Sequence, residues 1–285
     1  MRIKSIKNIK QLKDKYVLVR CDFNVPIKNG TILDGFKIKK SLPTIEYLLT
    51  KGAKIILVSH LGRPDGKVVP KLSLKPVRDY LENVLARKIG IFNLSSRGVT
   101  NSDVAMLENI RFYQGEEKNS DDLAKQLSSL ADYFVLDGFG VAHRASASVS
   151  GVAKYLPTYA GLLLADEIAG LTKVLAKPIK PLVVILGGAK METKIPVLEN
   201  LLPKSTQILL GGGIANTYLW AKGYKVGKSL IDKKFKTSIL KFCESKKVIL
   251  PTDYVIGALD GKKHQVLDFN RKFKVVGNWG IMDIG

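Results

Sequence analysis

The feature of this sequence that most constrains its fold is the alternation of short apolar runs with amphipathic stretches. The runs at 16–20, 54–59 and 182–186 are rich in Val, Ile and Leu and have the length of β-strands. The stretch at 38–49 carries apolar residues at helical spacing. Strands separated by such helices form parallel βαβ units, and nearly continuous apolar strands are covered on both faces. The alternation predicts an α/β protein with doubly wound, Rossmann-like parallel sheets.

One long helical stretch indicates where the chain divides. Residues 160–176 are predominantly apolar, and Pro178 and Pro181 end the helix before a new strand begins at 182. A chain of 285 residues is long enough to form two domains. We therefore expect a first domain at 1–158, a connecting helix at 159–176 and a second domain at 177–285.

Basic and polar side chains follow four of the predicted strands. The segments after these strands read RCDFNVP at 20–26, SHLGRP at 59–64, ENIRF at 108–112 and DGFGVAHR at 137–144. Ligands of open parallel sheets bind at the carboxyl ends of the strands. Arg63, Arg111 and Arg144 present planar guanidinium groups there, which suit a phosphate or a carboxylate. Randomly solvated loop charges, or arginines that cap helices, remain the alternative.

Glycine turns follow two strands in the second half of the chain. The sequence LGGAK at 186–190 precedes one predicted helix, and LGGGI at 210–214 begins another. Backbone N–H groups at a helix N-terminus bind anions, and glycine lets a phosphate approach closely. Glycine after a strand is also typical of a simple tight turn. The pattern alone leaves both interpretations open.

Two glycine patterns are rejected as nucleotide motifs. Residues 223–229 (GYKVGKS) resemble a Walker A loop, but three residues separate the glycines instead of four, and a helix precedes them. A partial dinucleotide fingerprint begins at Gly211, but Asn216 replaces its third glycine. None of the three histidines has the spacing of metal ligands, so we predict no metal site in the protein itself.

The composition limits the expected partners and the compartment. The net charge is +21, but the lysines are spread along the chain and no helix-turn-helix stands out, so we expect small anionic ligands and no nucleic acid. The longest uncharged run, 205–221, contains glycines and polar residues and is a poor membrane span. Two distant cysteines and an N-terminus without a secretory signal predict a cytoplasmic protein, and we expect a monomer.

Seven segments together resemble the phosphoglycerate kinase family. They are, in chain order, 20–26, 59–64, 108–112, 137–144, LGGAKMETKI at 186–195, GGGIA at 211–215 and WGIMDIG at 279–285. Seven ordered matches are far more specific than any one glycine loop. The resemblance implies phosphoryl transfer between ATP and the carboxylate of 3-phosphoglycerate, through 1,3-bisphosphoglycerate and ADP. It also implies Mg²⁺, carried by the nucleotide, as the cofactor.

The resemblance assigns roles by position. The first domain would bind phosphoglycerate through Asp22, Phe23, Asn24, Lys37, His60, Leu61, Gly62, Arg63, Arg111, His143 and Arg144. Within this set, His60, Arg63, Arg111, His143 and Arg144 would form a basic cradle for the substrate phosphate. The second domain would bind the nucleotide through Lys190, Lys194, Gly211, Gly212, Gly213 and Gly285. Lys37 and Lys194 would be the catalytic residues.

Two departures from the family pattern are visible. Lys37 stands where the family carries an arginine, so the charge is kept but the bidentate fork is lost. The sequence ends at Gly285, whereas family members continue with further nucleotide-binding segments. We therefore expect a truncated second domain, a partial nucleotide site and weak or absent catalysis. The alternative hypothesis is a short form that binds phosphoglycerate without catalysis.

Overall fold

The computed structural model describes residues 3–95, 102–176, 178–270 and 272–285. The chain divides into two compact units, Met1–Gly170 and Leu171–Gly285. The division falls inside the helix Leu162–Ala176, which occupies most of the stretch that the sequence predicts as a connector. In the described parts of the chain, no helix is long and apolar enough to cross a membrane.

The first unit is built on a six-stranded parallel sheet. The strands of the unit, six of which form this sheet, are β1 (Tyr16–Arg20), β2 (Ile27–Lys28), β3 (Thr31–Ile32), β4 (Lys54–Val58), β5 (Gly90–Phe92), β6 (Val104–Leu107), β7 (Tyr133–Leu136) and β8 (Thr158–Ala160). Its helices are α1 (Phe36–Thr50), α2 (Lys75–Leu85), α3 (Asp121–Ser128), α4 (Phe139–Ala142) and the start of α5 (Leu162–Ala176). The sheet order is β5-β6-β4-β1-β7-β8 and every pairing in it is parallel, whereas β2 and β3 form a separate hairpin. The predicted doubly wound sheet is confirmed.

Both faces of this sheet are buried, because alternate residues of a strand enter different cores. Val17 and Val19 of β1 are fully buried in a core that includes apolar residues of α1 and α2. Leu18 lies between them in sequence and belongs to a second core, which includes residues of α3. Since helices cover both faces, the carboxyl edge of the sheet is the part left for ligands.

The second unit combines parallel and antiparallel strands. Its elements are β9 (Val183–Leu186), α6 (Met191–Leu201), β10 (Gln207–Leu210), α7 (Gly212–Ala221), β11 (Lys225–Val226), α8 (Lys236–Cys243), β12 (Val248–Ile249), β13 (Asp253–Ala258), β14 (His264–Asp268), β15 (Lys274–Val275) and β16 (Trp279–Ile284). The predicted parallel strands form a sheet of order β12-β10-β9. A second sheet, β14-β13-β16, is antiparallel, and β11 pairs with β15.

The sequence analysis does not predict the antiparallel sheet, and the exposure of its strands explains why. In β14 four of five residues are exposed, so no apolar run marks the strand. Tyr254 and Ile256 of β13 are buried against a core that also holds Ile281 of β16. Because β13 and β14 follow one another in the chain, the sheet is specified by the packing of β13 and β16 against the core of the unit rather than by a run of apolar residues.

The rejected Walker-like segment 223–229 forms a structural junction. Gly227 makes an isolated β-bridge with Gly280, and the N–H of Lys228 donates to the carbonyl of Trp279 at 2.8 Å. Ser229 Oγ accepts from the N–H of Ile281 at 2.7 Å. The serine hydroxyl, which would be a phosphate or metal ligand in a true Walker loop, is thus used to attach β16.

A buried carboxylate stands at the beginning of α5. Asp137 is fully buried, and its Oδ1 accepts from the N–H groups of Leu163 and Leu164 at 3.1 and 3.4 Å. Its other oxygen has no hydrogen-bond partner among the described residues. Burial raises the pKa of Asp137 to about 7, and hydrogen bonds from Thr44 and the two backbone groups offset this only in part.

The raised pKa of Asp137 predicts a pH-dependent stability. The unfolded carboxyl ionises near 3.8 but the folded one near 7, so stability falls as the pH rises between these values. Between pH 5 and pH 8 we expect the parent chain to lose roughly 2–3 kcal/mol more of its unfolding free energy than Asp137→Asn does. Urea denaturation of both chains at the two pH values measures this difference. An equal loss in the two chains would show that Asp137 is ionised in the folded state throughout.

Candidate functional site

Four loops meet at the carboxyl end of the first sheet. The strands before them, β6, β4, β1 and β7, are neighbours in that order, so the loops lie side by side. The N–H of Phe23, after β1, donates to Ser59 Oγ, after β4, at 2.8 Å. Asn24 Oδ1 accepts from the N–H of Gly62 at 3.0 Å. These two bonds hold the first loop against the second.

Asn109 attaches the third loop to the second. Its side-chain amide accepts from the N–H of Leu61 at 3.3 Å and donates to the Leu61 carbonyl at 2.8 Å. Arg111 Nη1 donates to the carbonyl of Gly62 at 2.7 Å. Gly62 has a φ of +62°, and a Cβ there would lie 2.7 Å from the Leu72 side chain. A residue with a side chain would be strained at this positive φ, so glycine is favoured at the position. The hydrogen bond from Arg111 goes to the backbone carbonyl of Gly62.

A cavity of about 400 Å³ opens among these loops. It is lined by Arg20, Arg111, Glu116, Glu117, His143, Arg144, Ala145 and Ser146. Two residues of this lining carry a buried donor, Arg144 Nε and Ser146 Oγ, that has no hydrogen-bond partner among the described residues. A buried donor without an acceptor is costly, so the cavity suits a ligand that supplies several acceptor oxygens. Phosphate is such a ligand, and the surrounding guanidinium groups match its charge.

Arg20, the last residue of β1, is a cavity residue that the sequence analysis does not assign. Its side chain is 2% exposed, and its Nε donates to Ser148 Oγ at 2.7 Å. Glu116 Oε1 lies 3.9 Å from Arg20 Nη2 and accepts from the Ser148 hydroxyl at 2.7 Å. Burial lowers the pKa of Arg20, and the charge of Glu116 opposes this shift. The sequence signal was an arginine at the end of an otherwise apolar strand.

His60 does not carry the positive charge expected of the basic cradle. It is 3% exposed, and its Nδ1 lies 3.4 Å from Arg20 Nη2. Burial, followed by the positive charges of Arg20 and Arg111, lowers the pKa of His60 from 6.5 to about 3. The imidazole is therefore neutral at pH 7 and contributes hydrogen bonding rather than charge.

Lys37 and Asp22, both predicted site residues, form an ion pair. Lys37 lies in the first turn of α1, and its Nζ is 3.0 Å from Asp22 Oδ2. Burial favours the neutral carboxyl, but the hydrogen bond and the charge of Lys37 outweigh it and hold the pKa of Asp22 below its usual value. Asp22 is therefore ionised at pH 7, and the Lys37 ammonium already has one anionic partner.

The other predicted substrate residues differ in their accessibility. The side chains of Phe23 and Leu61 are buried in the hydrophobic core, so only their backbone groups can face a ligand. Asn24 is exposed, as is Arg63. Arg63 does not line the 400 Å³ cavity, but its positive charge contributes to the lowered pKa of Arg111, after burial and the larger effects of nearer charges. The structure thus places Arg111, His143 and Arg144 in the lining of one cavity, and Arg63 is not part of that lining.

In the second unit, two glycine turns pack directly against each other. A Cβ on Gly212 would lie 3.0 Å from the backbone nitrogen of Gly188, and one on Gly213 would lie 2.9 Å from the Gly188 carbonyl oxygen. Gly212 also has a φ of +53°. The turn interpretation therefore explains these glycines by itself, because any side chain would push the two loops apart. At the start of α7, Gly212 is exposed whereas Gly213 is buried, so the anion interpretation remains compatible with the backbone of Gly212.

Lys194 and the chain end lie beside these turns. A Cβ on Gly188 would stand 3.7 Å from Lys194 Cε, whereas one on Gly211 would stand 3.5 Å from the Ile284 side chain. The N–H of Gly285 donates to the carbonyl of Asp253 at 3.2 Å. Lys190, immediately before α6, is exposed. The predicted nucleotide residues thus share one region of the second unit.

No metal-binding cluster is found in the part of the chain that the structure describes. Nowhere in that part do three or more His, Cys, Asp or Glu side chains come together in a group that could hold an ion. The cavity of the first unit has two carboxylates, Glu116 and Glu117, but these face arginines.

Comparison with known proteins gives consistent results. The family model described as phosphoglycerate kinase matches residues 6–285. The chain is 46% identical over 298 aligned positions to the phosphoglycerate kinase of Borreliella afzelii (strain PKo), covering 100% of this chain and 76% of that protein. It is 46% identical over 291 positions to the phosphoglycerate kinase of Moorella thermoacetica, covering 96% of this chain and 73% of that one.

Solved structures lead to the same family. The phosphoglycerate kinase of Coxiella burnetii superposes with a TM-score of 0.82 at 39% identity, covering 100% of this chain and 75% of that chain. The enzyme of Pyrococcus horikoshii OT3 superposes with a TM-score of 0.81 at 28% identity, covering 99% and 75%. The chain thus spans about three quarters of the length of these relatives. Together these likenesses confirm the resemblance that the seven sequence segments indicate: the chain belongs to the phosphoglycerate kinase family.

Proposed function

We propose that the protein transfers a phosphoryl group between ATP and the carboxylate of 3-phosphoglycerate. The observation that carries this proposal is the 400 Å³ cavity at the carboxyl end of the first sheet, with two unpartnered donors among arginines. The phosphate of 3-phosphoglycerate would bind there, accepting from Arg144 Nε and Ser146 Oγ. Family membership supplies the reaction, and the donor set supplies the reason why this end of the sheet would hold the substrate.

The remaining substrate contacts are proposed on the neighbouring loops. Asp22 and Asn24 would face the hydroxyl and carboxylate region, and the backbone of Phe23, Leu61 and Gly62 would line it. Lys37 would stabilise the migrating phosphoryl group. Its pairing with Asp22 at 3.0 Å keeps the ammonium oriented at the start of α1.

The nucleotide is proposed to bind the second unit. Lys190 and Lys194 would neutralise its phosphates, Gly211 to Gly213 would present backbone N–H groups, and Gly285 would lie near the adenosine. The support is the packing of the two glycine turns beside Lys194. Mg²⁺ would arrive bound to the nucleotide phosphates and would neutralise charge on the transferring group. The domain roles that we propose are therefore phosphoglycerate at 1–158 and nucleotide at 177–285, with 159–176 as the connecting helix.

The chemistry requires little of the protein beyond alignment and charge. A carboxylate is already a nucleophile, so no general base is needed. The residues must place the carboxylate in line with the transferring phosphorus and offset the negative charge that accumulates there. Lys37 and Lys194 are the groups that we propose for this role. We also propose that the enzyme acts as a cytoplasmic monomer; both cysteines are free thiols.

The first prediction from the proposed function concerns the cavity of the first unit. Calorimetric titration should show one site for 3-phosphoglycerate, weakened by added salt because ions screen the arginines. Arg144→Ala should weaken binding by about 1.5–3 kcal/mol, the scale of hydrogen bonds to charged groups. Arg87→Ala is the matched control, since Arg87 is an exposed arginine paired with Asp103 and does not line the cavity. Equal losses in the two variants would contradict the cavity assignment.

The second prediction concerns turnover. A polypeptide of residues 1–285 spans 76% of the Borreliella afzelii enzyme. In a coupled assay we expect it to form ATP at least about 10²-fold more slowly than the same chain extended to the length of its relatives, the scale of losing one preorganised donor. MgADP should also bind the shorter polypeptide more weakly. Binding of 3-phosphoglycerate without turnover would match the non-catalytic alternative, and equal turnover would contradict the prediction.

The third prediction isolates Lys37. In the extended chain, Lys37→Arg should raise the rate of ATP formation, because a guanidinium can hold the phosphoryl group with two hydrogen bonds. Lys39→Arg is the control, being the same exchange at an exposed position of the same helix. A rate that falls in Lys37→Arg alone would contradict the argument from two hydrogen bonds, and a rate that changes equally in both variants would remove Lys37 from the catalytic role.

A further inference from the structure

Two consecutive glutamates at the cavity have different environments. Glu116 is 2% exposed, and both of its carboxylate oxygens accept hydrogen bonds from Ser148, at 2.9 Å from the backbone and 2.7 Å from the hydroxyl. Its nearest cation is Arg20. Glu117 is 53% exposed at its side chain, and its ion pair is with Arg111. Glu116 is therefore a fixed part of the fold, whereas Glu117 is free to move away.

Glu117 is ion-paired with Arg111, an arginine of the proposed substrate cavity. Its Oε1 lies 3.2 Å from Arg111 Nε, and the Arg111 side chain is only 7% exposed. Arg111 also has the like charges of Arg63 and Arg144 nearby, which contribute to its lowered pKa. The carboxylate thus neutralises a guanidinium that other cations surround.

An anion in this cavity would meet Glu117 directly. Arg144 and Ser146, which carry the unpartnered donors, line the same cavity as Glu117. A phosphate held by these donors would be repelled by a carboxylate that remained on Arg111. Glu117 also lines a neighbouring cavity of about 380 Å³, whose walls include Asp65, Gly66 and Lys118. The Glu117 side chain can move into this second cavity when it leaves Arg111.

We propose that Glu117 is a displaceable counterion, which the phosphate of the substrate replaces on Arg111. This inference rests on the proposed function for the identity of the anion. An ion pair with one exposed partner is weak, so separating Glu117 from Arg111 costs little free energy. This cost still lowers the affinity of the cavity for every anion that replaces Glu117. Glu117 thus sets the affinity of the cavity and favours anions with enough charge and enough acceptors to replace a carboxylate.

The experiment measures binding of 3-phosphoglycerate and, in parallel, of inorganic phosphate by calorimetry at low salt. Glu117→Gln keeps the size of the side chain and removes its charge. We expect it to tighten binding of both anions by about 2- to 5-fold, the value of an exposed ion pair. Raising the salt concentration should reduce the gain. Thermal denaturation checks that the variant is folded, and the exposed position of Glu117 makes a folding defect unexpected.

Two comparisons distinguish this role from its alternatives. Glu46→Gln makes the same change of net charge at an exposed position of α1 and should leave both affinities unchanged. In an Arg111→Ala background, Glu117→Gln should give a smaller gain, because the ion pair is already broken and only the repulsion between the carboxylate and the anion remains to be relieved. Equal gains in Glu117→Gln and Glu46→Gln, or weaker binding in Glu117→Gln, would overturn the inference. A parent chain that binds phosphate but not 3-phosphoglycerate would contradict the proposed function, while a gain for phosphate would still support the counterion.

Discussion

The arrangement of the proposed substrate cavity depends on the burial of one guanidinium, that of Arg20. It ends the strand β1, near the middle of the first sheet, where its side chain is 2% exposed. A buried charge is tolerated only when it is paired and hydrogen-bonded. Ser148 and Glu116 supply these partners, and they belong to segments that are 128 and 96 positions from Arg20 in sequence, respectively. Satisfying Arg20 therefore draws these two segments to the carboxyl end of β1.

The same guanidinium affects the charge of its neighbours. His60 Nδ1 lies 3.4 Å from Arg20, and burial together with the surrounding arginines keeps the imidazole neutral. Both carboxylate oxygens of Glu116 are hydrogen-bonded to Ser148 and its ion pair is with Arg20, so Glu116 is fixed in place, although its charge also favours the charged form of Arg111. The positive charge available to a ligand is consequently that of Arg111 and Arg144, moderated by Glu117.

The second unit shows how one sequence pattern can serve packing and binding together. Gly212 and Gly213 allow the turn after β10 to contact the backbone of Gly188 after β9. That contact is sufficient to explain the glycines. It also leaves the backbone of Gly188 exposed beside Lys194. The segment 223–229, which resembles a phosphate loop more obviously, instead attaches β16 through Ser229. The position of a glycine motif relative to the strand ends, rather than its spacing alone, separates the two cases.

Local pattern in the sequence determined most of the parallel strands and the main helices, because each is marked by its own apolar periodicity. The parallel edge strands β5 and β8 were not predicted, since three residues are too few to show such a pattern. It also determined that Arg111 and Arg144 would meet, since parallel strands end at one edge. Only the tertiary structure decided the antiparallel sheet, the neutral state of His60, and the different environments of Glu116 and Glu117. These features depend on burial and on contacts between distant segments. Two adjacent glutamates are equivalent in sequence, and only the fold places one against a buried arginine and leaves the other exposed to water.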